Sequence, residues 1–379
     1  MSPGLARREL SVLGCLGLAF SCAVFDAGPA EGLLPWATTS TLLLVRLVFV
    51  VFGYTPDRRI EWSSLHPVML AYAGLLVLNY FTSTVTENTM LFAAAFWSLA
   101  AGFWLTSLLT KGATDRLLTY LGWIGGFSAL WGAAEFVVTL DRTEGPIIDP
   151  NTWAAMCNLL LLGTVAVSVR NGRMGVAQCL LLYLFAFAVA ASYSRLGGFI
   201  LLVATGFLVT LALLLSELRR MSLAIVISIV AAFATVEGML VLNETQVRER
   251  TSVGSADTGW RERGYMWRAG LKAAADHPLG TGLGTFRAHY PAYRDTREYR
   301  TVGNYVHNDY IQIAAEGGWL LAALTVGLVT FLGMKLALRT LQFWKHRQGS
   351  ALVPICFMVS IGSVLVHALM NFPLYHLPN

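Results

Sequence analysis

Polar residues fall mostly between long apolar runs, and about eleven such runs can be marked: 10–25, 33–54, 67–81, 89–109, 117–140, 152–169, 174–191, 196–216, 223–242, 311–336 and 352–369. Crossing a hydrocarbon core about 30 Å thick takes roughly 20 apolar residues. Lipid offers the backbone no hydrogen-bond partners, so the runs are predicted to be helices rather than strands. The pattern therefore predicts an all-α integral membrane protein, with about eleven transmembrane helices in one membrane domain over residues 1–379. One long polar loop, 243–306, interrupts it. The first run, preceded by Arg7 and Arg8, also has the form of a secretory signal, but ten further apolar segments favour a first transmembrane helix.

Composition agrees. The chain is 56% hydrophobic and 13% charged, where a soluble protein carries roughly 25% charged residues; its mean hydropathy is +0.60. The five cysteines, Cys15, Cys22, Cys157, Cys179 and Cys356, lie in apolar runs without metal or redox spacing.

Orientation follows from the basic residues, which concentrate in short cytoplasmic loops. With the N-terminus inside, the cytoplasmic segments hold fourteen: Arg7, Arg8, Arg58, Arg59, Lys111, Arg116, Arg170, Arg173, Arg219, Arg220, Lys335, Arg339, Lys345 and Arg347. The short loops opposite hold only Arg142 and Arg195. Residues 141–151, 192–195 and 243–306 are thereby expected on the outer face. The net charge of +5 reflects this topology and does not indicate nucleic-acid binding.

The long loop carries ten basic and seven acidic residues and eight aromatics, among them Trp260, Tyr265 and Trp267. Guanidinium forks pair with phosphate oxygens, and flat aromatic faces stack on sugar rings. An interfacial belt of Trp, Tyr and Arg explains the same composition. Trp260, Gly264, Trp267, Leu271 and Ala274 recur at helical spacing, which predicts an amphipathic helix lying on the membrane and ended by Pro278. Gly280, Gly282 and Gly284 are read as a tight turn, because no strand precedes them as a nucleotide-binding loop requires.

His307-Asn308-Asp309-Tyr310 opens the next apolar run. Asn308 suits an N-cap, and Asp309 suits the positive end of the helix dipole. Capping leaves His307 unexplained, together with Gln312 and Glu316, which share a face with Asn308 and Asp309. Histidine titrates near neutrality and can accept a proton from an attacking hydroxyl. Arg195, after Ser192-Tyr193-Ser194 in a short outer turn, breaks the positive-inside pattern. Snorkelling into headgroups is one reading; a bound anion is the other. Arg46 is read as snorkelling or structurally paired. Asp149-Pro150-Asn151 precede a helix, where Asn151 can be only a cap. His367, near the end of the last apolar run, is a polar ring in lipid and needs a partner.

Together these stretches resemble the O-antigen ligase and O-antigen polymerase superfamily. The matching pieces are Asp149-Pro150-Asn151; Ser194-Arg195; Arg263 four residues before Trp267, then His277-Pro278-Leu279-Gly280-Thr281-Gly282; His307-Asn308-Asp309-Tyr310 with Glu316-Gly317-Gly318; and His367 with Asn371-Phe372-Pro373. The resemblance covers roughly 145–376. It implies a metal-independent, inverting glycosyltransferase of a bacterial inner membrane, needing no cofactor, with its site on the periplasmic face. The implied donor is an undecaprenyl-diphosphate-linked glycan, and the implied acceptor is lipid A–core sugar or a growing glycan. Arg195 and Arg263 would hold the diphosphate, and His307 would lie by the acceptor. Asn308, Asp309, Tyr310, Asn151, Arg261, Trp267, Glu316 and His367 are the expected substrate-binding residues.

The family usually adds a helix after its closing motif, whereas about eleven helices here put the C-terminus outside. The motifs serve ligation to lipid A–core, polymerisation of glycan units and transfer to protein Ser or Thr alike. A polyprenyl-glycan transporter would instead place ionisable groups at mid-membrane and show internal repeats. Arg195, Arg263 and His307 are expected to converge, with Arg195 and His307 no more than two helix diameters apart, about 20–24 Å.

Overall fold

The computed structural model describes residues 12–18, 20–21, 65–107, 109–147, 149–214, 219–241, 254–298, 303–345, 352–371 and 373–376. The run 33–54 with Arg46 lies outside them, as do parts of the run 10–25 and of the loop 243–306. The described residues form helices and no strand. They are α1 (Leu65–Thr82), α2 (Thr86–Ser107), α3 (Lys111–Thr139), a 3-10 turn (Gly145–Ile147), α4 (Pro150–Arg170), α5 (Val176–Ala191), α6 (Arg195–Leu214), α7 (Arg219–Leu240), α8 (Gly254–Asp276), α9 (Phe286–Tyr293), α10 (Asp309–Lys345), α11 (Leu352–Ala368) and α12 (Pro373–His376).

Six helical stretches are long and apolar enough to cross a membrane: Leu65–Thr82, Gly112–Thr139, Pro150–Arg170, Arg195–Leu213, Arg220–Leu240 and Asp309–Gln342. Val176–Ala191 and Leu352–Ala368 are apolar but shorter. The protein is thus an all-helical membrane protein, with six such spans among its described residues against the eleven expected along the whole chain.

The chain divides into two compact units. The first comprises Met1–Leu117, Gly254–Val329 and Ala368–Asn379; the second comprises Leu118–Val253 and Thr330–His367.

In the second unit, α4 packs against α5 and α6, and α5 against α7. A helix apolar all round belongs in the interior, and α4 and the C-terminal half of α5 are buried over most of their residues. Trp153 fills the space over Gly132 and Gly145, where any Cβ would strike its indole. Asn158 donates to the Gly197 carbonyl at 3.0 Å, and Ser360 of α11 to the Leu159 carbonyl at 2.7 Å. The cap of α4 is Asp149, not Asn151: its carboxylate accepts from the Thr152 N–H at 3.1 Å and the Thr152 hydroxyl at 3.0 Å. Pro150 takes the first helical position, where its missing N–H costs nothing, so Asn151 falls one place inside.

In the first unit, α8 is the helix expected in the long loop, and it ends at Asp276, before Pro278. Only part of the expected stripe docks: Trp267 packs inward and Ala274 is buried, but Trp260 and Leu271 are exposed, and the buried face runs through Met266, Ala269, Gly270, Ala273 and Ala274. Small residues let two backbones approach closely. Ala273 and Ala274 meet Ala314 and Ala315 of α10, and a Cβ on Gly270 would press on Ile311 and Val306.

The glycine stretch is a tight turn, as expected, with Gly280, Gly282 and Gly284 all at positive φ. Its partner is a break in α10, where Gly318 (φ 82, ψ 166) interrupts the helix. The Gly282 N–H donates to the Glu316 carbonyl at 2.8 Å, and the Trp319 N–H to the Pro278 carbonyl at 3.0 Å. A Cβ on Gly280 would strike the Glu316 backbone, and one on Gly318 the Pro278–Leu279 backbone. Backbone cannot swing aside as a side chain can. Gly318→Ala is therefore expected to destabilise the protein by about 1–3 kcal/mol from the backbone conformation alone, which essentially only glycine adopts, with the backbone clash adding to it. Thermal melting in detergent checks this, with exposed Gly327→Ala as the control.

Candidate functional site

The His307 segment is built where three stretches of the first unit meet: α8, the start of α10, and the chain from Leu369 to Tyr375. Asn308 caps α10 as expected, its Oδ1 accepting the Ile311 N–H at 3.1 Å while its Nδ2 donates to the Leu369 carbonyl at 2.9 Å. Gln312 reaches back to accept the Val306 N–H at 2.9 Å. Between these ties His307 is left-handed, at φ 57. Leu140 and Tyr193 are the other non-glycine residues at positive φ among those described. Each follows a helix C-terminus, where that conformation commonly ends a helix. His307 precedes a helix, so ordinary capping does not account for it. Strain of this kind persists only where the surroundings impose it.

Those surroundings are specific. The Trp267 indole N–H donates to the His307 carbonyl at 3.2 Å, and His307 Nδ1 lies 3.2 Å from Asn371 Oδ1. Arg263 is half-buried one helical turn before Trp267, on the same face of α8. The unit thus brings Arg263, Trp267 and His307 to one end of α10. Arg261 is exposed, two residues round the helix from Arg263, and Tyr310 is half-buried beside Asp309.

Asp309 and Glu316 face inward. Asp309 is fully buried, and one carboxylate oxygen accepts the Leu374 N–H at 2.7 Å. Glu316, 1% exposed, accepts from the Gly284 N–H at 2.9 Å, the Phe286 N–H at 2.8 Å, the Tyr375 hydroxyl at 2.7 Å and Gln312 at 3.5 Å. Both its oxygens are engaged within the protein, so what it does here is hold the glycine turn and α12 against α10. Asn79 of α1 completes the clamp, donating to the Glu316 carbonyl at 2.8 Å and accepting the Leu283 N–H at 3.0 Å.

Several charges that composition offered to a ligand are spent internally. Arg297 pairs with Asp295 at 2.8 Å and lies over the Tyr265 ring at 5.4 Å. That pairing holds the Asp295 carboxyl well below the usual carboxylate range. Arg268 also lies over Tyr265, at 4.8 Å, and Arg294 pairs with buried Glu298 at 2.9 Å.

In the second unit, Ser194 caps α6 by accepting the Gly197 N–H at 3.1 Å, and Arg195 takes the first helical position with its side chain exposed. A cation is disfavoured at a helix N-terminus, so helix electrostatics give no reason for an arginine there. Arg142 supports the same turn: Nε donates to the Ser192 carbonyl at 2.9 Å, and a terminal nitrogen lies 3.4 Å from Asn151 Oδ1. Burial lowers the pKa of the Arg142 guanidinium, with Asp149 and Glu144 opposing. Burial, Asp149 and Glu135 together raise that of Glu144. His367 is buried in the last turn of α11, also in the second unit.

Sequence reasoning gave no role to Asn371, Tyr375, Asn79 or Arg142. Asn79 had a signal, as a carboxamide inside an apolar run. Asn371 lay in a quoted motif. Tyr375 had none.

These helices, with an arginine, a tryptophan and a strained histidine gathered at one helix end, define a polytopic membrane protein equipped for polar chemistry. The family model for O-antigen ligase matches residues 180–326. That match places this stretch, with Arg195, Arg263, His307 and Glu316, in the O-antigen ligase and polymerase superfamily. Members are glycosyltransferase-like membrane enzymes acting on glycan and lipid-linked substrates. Asn151 and His367 fall outside the matched residues. No curated protein matches the chain.

Proposed function

We propose that the protein is a metal-independent, inverting glycosyltransferase that moves a glycan from undecaprenyl diphosphate onto lipid A–core sugar. It works at the periplasmic face of a bacterial inner membrane, with its N-terminus in the cytoplasm. The observation that carries the reading is His307 at positive φ, its carbonyl held by Trp267 and its Nδ1 engaged by Asn371, with Arg263 one turn before Trp267 on the same face of α8.

The chemistry divides between base and cations. Breaking the sugar–diphosphate bond leaves negative charge on the departing phosphate, which preorganised guanidinium groups stabilise; Arg195 and Arg263 supply them. The His307 imidazole takes the proton of the acceptor hydroxyl as that oxygen attacks the anomeric carbon from the opposite side, inverting it. Asn308 and Tyr310 flank the acceptor, and Trp267 and Arg261 contribute sugar and phosphate contacts. Asn151 and His367 stand as further substrate contacts in the second unit. Asp309 and Glu316 serve by holding the segment in place.

The rival reading within the superfamily is a polymerase of glycan repeat units, which needs the same donor chemistry. Purified protein given an undecaprenyl-diphosphate glycan with lipid A–core decides between them. Product on lipid A–core supports ligation, and lengthened carrier-linked glycan means polymerisation. Arg195→Ala is expected to lower transfer roughly 10²–10³-fold, the usual effect of removing one such stabilising group. Transfer undiminished in that variant would remove Arg195 from the reaction.

A further inference from the structure

The histidine is read above as a base, yet an imidazole acts as one only through a nitrogen that carries no proton. Which nitrogen that is depends on what holds the other. Here the holder is on the page: Asn371 Oδ1 lies 3.2 Å from His307 Nδ1. Asn371 is 2% exposed, so its side chain is set by the fold and not by solvent. Its neighbours tie the same short segment to α10 at three more points. Leu369 accepts from Asn308, the Leu374 N–H donates to Asp309, and the Tyr375 hydroxyl donates to Glu316. His307, Asn308, Asp309 and Glu316, at and just before the start of α10, thus all have partners between Leu369 and Tyr375. Three of those contacts fix backbone or a fully engaged carboxylate. Only the Asn371 contact reaches the ring of the reacting residue.

We propose that Asn371 is a positioning residue: its side-chain oxygen accepts the Nδ1 proton of His307 and so presents a bare Nε2 to the acceptor hydroxyl. This rests on the reading of His307 as the base. The chemistry also accounts for an amide in place of a carboxylate. A carboxylate at this distance would stabilise the imidazolium and leave the ring protonated when it must accept a proton. A neutral carbonyl orients the ring without adding that charge. Among the ionisable groups on the elements packed around His307 are Asp309, Tyr310 and Glu316 on α10, Arg261, Glu262, Arg263, Tyr265 and Arg268 on α8, and Tyr375 and His376 on α12. All are kept in the variants below.

The test uses the full-length protein in detergent, labelled with ¹⁵N-histidine, with the His307 signals assigned by their loss in His307→Ala. In the unsubstituted protein the neutral ring is expected as the Nδ1-protonated tautomer. Asn371→Ala is expected to give a mixture of tautomers and a kcat lower by roughly 10- to 100-fold, the scale of a misplaced catalytic group, with the donor KM unchanged. Asn371→Asp keeps the acceptor oxygen and the shape but adds charge. It is expected to move the His307 titration, and the acid limb of kcat/KM with it, upward by roughly 1–3 pH units.

An Nε2-protonated ring in the unsubstituted protein would overturn the proposal. So would an unchanged tautomer in Asn371→Ala, or an unmoved titration in folded Asn371→Asp. If Asn371→Ala does not fold, the near-isosteric Asn371→Asp still decides. Full transfer by His307→Ala would instead remove the base reading, while the tautomer measurement would still report whether Asn371 holds the ring.

Discussion

Replacing His307 with alanine is expected to lower glycan transfer by roughly 10²–10⁴-fold, the usual worth of a positioned general base, and to leave the protein folded. The backbone contacts around residue 307 do not need the imidazole: Trp267 donates to its carbonyl, and Gln312 accepts the neighbouring Val306 N–H. The imidazole meets the Asn371 side chain through Nδ1. Since φ at this position is 57, His307→Asn is the companion variant. Asparagine tolerates the left-handed region well but cannot act as the base. Both variants are expected to melt near the unsubstituted protein and to be inactive together. Loss of activity in alanine alone would point to backbone strain in place of proton transfer.

Glu316→Ala is expected to act in the opposite way, on folding before chemistry. Removing the carboxylate leaves the Gly284 and Phe286 N–H groups and the Tyr375 hydroxyl without their acceptor. An unsatisfied buried donor costs about 1–3 kcal/mol, so three amount to at least about 3 kcal/mol. Much of a domain's net stability of about 5–15 kcal/mol would go. The expected result is protein that does not survive extraction as a monodisperse species, read by size-exclusion of a fluorescent fusion. A stable variant with only a raised substrate KM would return Glu316 to the substrate-binding role that sequence reasoning gave it.

The contrast between these residues bears on what a sequence can disclose. Some helices were legible from apolar runs to within a few residues, as with 67–81 against Leu65–Thr82 and 352–369 against Leu352–Ala368, whereas 311–336 stopped well short of Asp309–Lys345 because Lys335 and Arg339 end the apolar run and not the helix. Asn308 was legible as a cap because capping is local. The capping alternative for Asn151 does not hold, because Asp149, two residues earlier, is the cap and Pro150 takes the first helical position. The docking face of α8 was legible only in part, through Trp267 and Ala274, because hydrophobic periodicity rewards large residues and much of this face is alanine and glycine. The break at Gly318 had a signal in Gly317-Gly318 inside an apolar run. The partners of Glu316 had none, since residues 284, 286 and 375 are joined to it only by the fold. For the same reason Glu316 and His307 looked alike from sequence, two polar residues near one helix start. Hydrogen bonding separates them into a clamp and a presented ring.

The central claim is that the protein breaks a sugar–diphosphate bond with His307 as the base. The most direct measurement follows both products of one reaction: purified protein in detergent, an undecaprenyl-diphosphate glycan, lipid A–core, and EDTA throughout. Mass spectrometry counts free undecaprenyl diphosphate against glycan transferred. The account predicts one carrier released per glycan moved, with both products lost in His307→Ala and His307→Asn. Carrier-linked glycan left intact while it crosses vesicles of the same protein, or release undiminished in both variants, would contradict it.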